Sequence, residues 1–224
     1  MKKSTNLFCI VGKTGSGKSL YMTKLLEDKR FISKYNISNL VYGTTRSKRK
    51  DEIEGKDYYF ISKEEYAKIN YDDLIESRSY YTLNDGEVYY FTKKEYLEDS
   101  NNFICIASPY QYEKFKSWFY YKSLESNHND YNIYAIIIDT DIKTRLNRVI
   151  NSRTSKDDDI YELCRRVIQE KMEFDDVCKR LPELSTEQST EYSNTCYIDN
   201  SSNTREDIVN NLIRIKKFIS NFNS

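Results

Sequence analysis

Apolar residues gather in short continuous runs at 7–11, 103–107 and 134–138, and a further strand-like run lies at 195–198. Uninterrupted runs of this length suit strands of a sheet covered on both faces. Each is followed by a segment that can form a helix, at 19–27, 112–124, 140–150 and 204–222. In the last of these Thr204 can cap and Asp207 favours the first turn. Strand alternating with helix predicts an α/β fold with a parallel sheet and right-handed crossovers. Residues 44–92 break the rhythm with a basic loop, the run Tyr58-Tyr59-Phe60, a Ser62/Glu65 capping box and alternating strand-like segments. They are expected to form an inserted α+β subdomain. Residues 151–159 are wholly polar and lead into an arginine-rich helix, which suggests a mobile flap.

Length and composition narrow the class. A chain of 224 residues suits one domain with a small insertion, and 38% hydrophobic with 14% aromatic residues is enough to build a core. Lys+Arg and Asp+Glu both number 35, so no global positive field draws the protein to nucleic acid or anionic lipid. The 21 tyrosines are spread through the chain without basic excess, which fits half-buried residues better than a stacking platform for single strands. Cys9, Cys105, Cys164, Cys178 and Cys196 suit neither a disulfide framework nor a zinc site. The one histidine, His128, lies in a polar stretch expected to be a loop. The amino-terminal apolar run is too short for a signal segment, and no stretch approaches the roughly 18 apolar residues of a membrane helix. A cytoplasmic protein without membrane or nucleic-acid partners is the expectation.

Three of the six glycines crowd into Gly12-Lys13-Thr14-Gly15-Ser16-Gly17-Lys18-Ser19, between the first strand and the first helix. This fits G-x-x-x-x-G-K-[ST] in the context the motif requires. Its backbone N–H groups and the helix's positive end would cradle nucleotide phosphates, Lys18 would neutralise them, and Ser19 would ligate magnesium. The Asn-Lys-x-Asp and Asp-x-x-Gly strings of a GTPase do not occur.

The stretch Thr44-Thr45-Arg46-Ser47-Lys48-Arg49, followed by Glu52, Gly55, Asp57, Tyr58 and Phe60, closely resembles the guanylate kinase signature. Weaker similarity extends over nearly the whole chain. The resemblance implies one domain spanning 1–224. Its core would comprise 1–43, 93–150 and 174–224, with a monophosphate-binding insert at 44–92 and a lid at 151–173. It also implies transfer of the γ-phosphate of ATP to GMP or dGMP with Mg2+, by a monomer or homodimer. Arg46 and Arg49 would clamp the acceptor phosphate, with Tyr58 and Tyr90 adding hydroxyls. Glu76, ahead of Tyr90-Phe91-Thr92, matches the guanine-reading glutamate, and Arg148, Arg153 and Arg166 match lid arginines that act on the transferring group. On charge alone, the basic loop, Glu76 and Arg165-Arg166 also read as solvated surface.

Three departures from the family's pattern stand out. Ile106-Ala107-Ser108-Pro109 lacks an expected aspartate that contacts guanine and the magnesium shell. The segment between Glu76 and Tyr90 is longer than usual, with Phe91 where glycine is common. The spacing from Arg148 to Arg153 is one residue longer than the pattern. Asp139, at the end of an apolar run, mimics a Walker B acid, but with Thr140 it reads more simply as a helix cap. The alternatives are a same-fold kinase for another monophosphate, an inactive binding module of this fold, and a multimeric ATPase.

Overall fold

The computed structural model describes residues 4–82, 85–97, 102–126, 131–152, 157–181, 184, 193–202 and 204–222. His128 and Arg153 lie outside them, as do residues 153–156 of the expected flap. In chain order the elements are β1 (Thr5–Val11), α1 (Lys18–Glu27), α2 (Lys29–Tyr35), β2 (Ile37–Asn39), β3 (Tyr42–Thr44), β4 (Tyr58–Phe60), α3 (Lys63–Tyr66), β5 (Leu74–Thr82), β6 (Gly86–Lys93), β7 (Asn102–Ala107), α4 (Pro109–Ser126), β8 (Tyr131–Asp139), α5 (Ile142–Ser152), α6 (Asp157–Arg180), β9 (Thr195–Asp199) and α7 (Arg205–Asn221).

Five strands form a wholly parallel sheet in the order β2-β7-β1-β8-β9, the α/β architecture that the apolar runs predict. All seven residues of β1 are buried, because helices cover both faces of this central strand. Alternate residues face two cores. Leu7, Cys9 and Val11 join Phe115, Phe119, Phe174 and Val177 of α4 and α6. Phe8 and Ile10 join Tyr21, Leu25, Ile215 and Ile219 of α1 and α7. All five cysteines are free thiols.

Helix termini follow the sequence closely in two places and depart from it in two. Ser62 and Glu65 form the expected reciprocal capping box. Thr204 accepts from the Asp207 N–H. The helix expected at 112–124 begins earlier, at Pro109, because Ser108 and Gln111 exchange side-chain to backbone hydrogen bonds and proline suits the first helical position. The cap assigned to Asp139 and Thr140 is corrected: β8 continues through Asp139, and Asp141 caps α5 by accepting from the Thr144 N–H at 2.9 Å. The Asp139 carboxylate instead accepts from the Tyr197 hydroxyl, and Thr140 donates within the phosphate-loop region to the Ser16 carbonyl.

A second sheet, β4-β3-β6-β5, is built from residues 42–93. Here Phe91 is accommodated by its cross-strand partner Gly43: a Cβ at residue 43 would lie 2.1 Å from the fully buried Phe91 ring. Gly43→Ala is therefore expected to destabilise the protein by about 1–3 kcal/mol in denaturant unfolding. Phe91→Leu should recover part of that loss in the double variant, and strict additivity would contradict the contact.

Candidate active site

The loop between β1 and α1 ends on Gly17, whose φ of 103° is open to glycine but strained for other residues. No side chain caps α1, so its first N–H groups are left for another acceptor. The buried Ser16 hydroxyl has no hydrogen-bond partner either. Lys18 folds back and donates to the carbonyls of Gly12 and Lys13 at 2.6 and 3.0 Å. Burial pushes its ammonium down to about 8, against the raising effect of Glu170 and with a further lowering from Arg145. A cation held this way, without a full counter-charge, is a site built for an anion.

Elements distant in sequence close around the loop. From α6, Glu170 accepts from the Thr14 N–H at 2.7 Å and from the Thr14 hydroxyl. Three residues on, Glu173 accepts from the Tyr110 N–H at the start of α4. The i,i+3 spacing puts both carboxylates on the face of α6 that meets the core. From α5, buried Arg145 donates to the Thr14 carbonyl at 3.0 Å. Arg148, on the same face, donates to the carbonyl of Asn200 at 2.7 Å and to that of Gly15 at 3.4 Å. Lys13 extends over the Phe174 ring, 5.3 Å from its centre.

In the loop that follows β3 of the second sheet, Arg46 is held from three sides. Its Nη2 meets the Glu52 carboxylate at 2.6 Å, Nη1 donates to the Ser47 carbonyl, and Nε donates to the Tyr90 hydroxyl at 3.1 Å. The Tyr58 ring lies 5.4 Å away across its face. Burial would raise the Glu52 carboxyl, but hydrogen bonds from Arg46 and from the Arg49 N–H outweigh it and hold the group below the usual range. Tyr90 thus accepts from Arg46 rather than donating to it. Below this layer, the Thr92 hydroxyl and Gln111 donate to Glu76 Oε1 at 2.7 and 3.4 Å.

Two adjoining cavities connect these elements. One, of about 330 Å³, is lined by Arg46, Arg49, Tyr58 and Tyr90 on one side and by Arg165 and Arg166 on the other. The second, about 520 Å³, reaches Gly12, Thr14, Lys18 and Ser19. Tyr58, Arg78, Ser108, Arg166, Glu170 and Glu173 border both. Of the residues singled out in the sequence, Lys18, Ser19, Arg46, Arg49, Tyr58, Tyr90 and Arg166 therefore meet in one cleft. Arg148 does not: it lines a separate cavity with Gly15, Gly17, Lys18, Ser19 and Asn200. Glu76 and Thr92 lie behind the cleft wall. The expected lid boundary at residue 173 falls inside α6.

Sequence reasoning missed Arg145, Glu170 and Arg78. For Arg145 a signal existed, since it stands one helical turn before Arg148. Glu170 left none, because its partner is 156 residues away. Among the described residues no group of three or more His, Cys, Asp or Glu side chains is placed to hold a metal, and no helix is long and apolar enough to cross a membrane.

A guanylate kinase family model matches residues 4–99. The guanylate kinase of Mesomycoplasma hyopneumoniae strain 7448 is 35% identical over 107 residues, covering 46% of this chain and 50% of that one. That of Oceanobacillus iheyensis is 32% identical over 100 residues, covering 45% and 44%. The chain thus spans about half the length of the curated relatives it matches. In fold the likeness is wider: the crystal structure of guanylate kinase from Anaplasma phagocytophilum aligns over 100% of this chain and 88% of that one, with a TM-score of 0.55 at 19% identity. Over residues 4–99 the chain is thus similar to guanylate kinases in sequence, and over its whole length it shares the fold of a guanylate kinase structure.

Proposed function

We propose that this protein transfers the γ-phosphoryl group of ATP to a purine nucleoside monophosphate, GMP or dGMP. The observation that carries this reading is the joined pair of cavities, with the phosphate loop at one end and Arg46 with Arg49 at the other. In this reading the uncapped start of α1 and the Lys18 ammonium hold the phosphates of ATP, and Arg148 with Asn200 borders its nucleoside. Arg46 and Arg49 hold the acceptor phosphate, pre-set by Glu52 and Tyr90. Arg166, on the wall shared by both cavities, faces charge developing between the two phosphates, and Arg145 supports it from beneath the loop.

Magnesium fits the donor set in a limited way. Ser19 is exposed to the loop cavity and offers one hydroxyl oxygen, so phosphate oxygens and water would complete the shell. When bound it would neutralise phosphate charge. Glu170 is the anion that the loop binds in this structure, and a phosphate that takes the Thr14 N–H has to displace it. No general base is needed, since positioning and charge carry phosphoryl transfer.

A coupled assay of ADP formation with ATP, Mg2+ and GMP, dGMP, AMP, UMP or CMP tests the reading. GMP-dependent turnover is expected, with none in its absence. No phosphorylation of any of these acceptors, together with failure to bind magnesium-ATP by calorimetry, supports the inactive binding module instead.

A further inference from the structure

Arg78 stands two residues after Glu76 on β5, so the strand's period of two puts both on one face. It borders both cavities, whereas the fully buried Glu76 borders neither. The guanidinium covers the carboxylate: Nη1 lies 3.8 Å from Glu76 Oε2, an ion pair too long for a hydrogen bond. Oε2 and the Arg78 Nε and Nη1 are all buried without hydrogen-bond partners. The rings of Tyr80 and Tyr90 lie 5.9 and 6.0 Å from the guanidinium carbon, and the Glu173 carboxylate adds a favourable negative charge. One acceptor and two donors therefore face each other unsatisfied, which is costly unless a ligand completes them.

The chemistry of that ligand follows. It reaches Oε2 only where the Arg78 guanidinium swings off the carboxylate it covers, and it must then offer an N–H to Oε2 and, beside it, an acceptor to the guanidinium. A 6-oxopurine does so with N1–H and O6, while adenine presents the reverse, an acceptor at N1 and a donor at N6. The guanine 2-amino group finds less. Oε1 already accepts from Thr92 and Gln111, and the Gln111 carbonyl oxygen is occupied by the Ser108 N–H. Residues 106–109 bring no carboxylate.

Resting on the kinase reading above, we propose that Arg78 is a specificity-determining residue. With Glu76 it reads the N1–H/O6 edge, so the substrate class is 6-oxopurine nucleoside monophosphates, IMP included, rather than 2-aminopurines alone.

The test is kcat/KM with saturating magnesium-ATP and GMP, IMP or AMP, for the unmodified protein, Arg78→Met and Arg78→Lys. In the unmodified protein IMP should fall within about tenfold of GMP, because its missing amino group leaves no buried partner exposed, and AMP should be poorer by a factor on the order of 10⁴. Arg78→Met keeps the stem but loses the donors, so GMP and IMP should drop together by about a hundredfold and the GMP-to-AMP ratio should narrow, with partial recovery in Arg78→Lys. A GMP-to-AMP ratio unchanged in both variants overturns the role of Arg78. A gap between GMP and IMP wider than about tenfold in the unmodified protein overturns the substrate class without any variant having to fold. In either case turnover of GMP leaves the kinase reading standing, whereas an unmodified protein inactive on all three overturns that reading and this inference together.

Discussion

Lys18→Ala is expected to lower kcat for phosphoryl transfer by about 10³-fold or more while leaving the fold intact. The fold should survive because the hydrogen bonds of the ammonium go to the carbonyls of Gly12 and Lys13, within its own loop, and Lys18 belongs to neither apolar core. Removing it relieves a buried charge that Arg145 opposes, so thermal stability should hold or rise. The same burial gives a signature in the unmodified protein. With its ammonium near 8, Lys18 loses its proton at moderately alkaline pH, so kcat/KM for ATP should be level below that point and fall about tenfold per pH unit above it. Because the folded value lies below the ordinary 10.5, the charged form is the disfavoured one in the native state. Its contribution to stability therefore improves as pH rises from about 8 towards 10.5, while activity declines. Wild-type-like turnover in Lys18→Ala would remove the phosphate loop from the mechanism.

The second large effect is expected at Arg46. Replacing it with methionine should reduce kcat/KM for the monophosphate by about 10²–10³-fold, with KM for ATP little changed, since a charge-assisted clamp on one substrate is lost. Stability should fall as well, by about 2–3 kcal/mol, because the Glu52 carboxylate is only 16% exposed and is left without its cation. The double variant with Glu52→Gln separates the two effects. It should regain stability in denaturant unfolding but not activity, whereas recovery of both would make Arg46 a structural residue.

How far the site was legible depended on whether its parts are local. The phosphate loop and the Arg46 loop are written in consecutive residues, since each works through backbone geometry or adjacent forks, and both could be read directly. The parallel sheet was legible for a similar reason: β1, β7 and β8 are covered on both faces, so the runs are apolar without alternation. The helix-cap error came from a strand that continues to Asp139, one residue further than the apolar run shows. Gly43 and Phe91 make sense only as a pair across antiparallel strands, and a lone phenylalanine in place of glycine looked like an anomaly. Arg78 is hardest of all: in sequence it is one arginine in a polar strand, and only packing shows that it lies over Glu76. Glu170 depends on a contact that closes most of the chain.

The central claim is that the phosphate loop and the Arg46 clamp serve two phosphates of one reaction. It is tested most directly by titration calorimetry with adenosine and guanosine joined 5′ to 5′ through five phosphates. Binding one to one, tighter than ATP or GMP alone by a factor of about 10²–10⁴ and weakened by both Lys18→Ala and Arg46→Met, is the result predicted. A joined ligand that binds no tighter than ATP, and is indifferent to Arg46→Met, would contradict it.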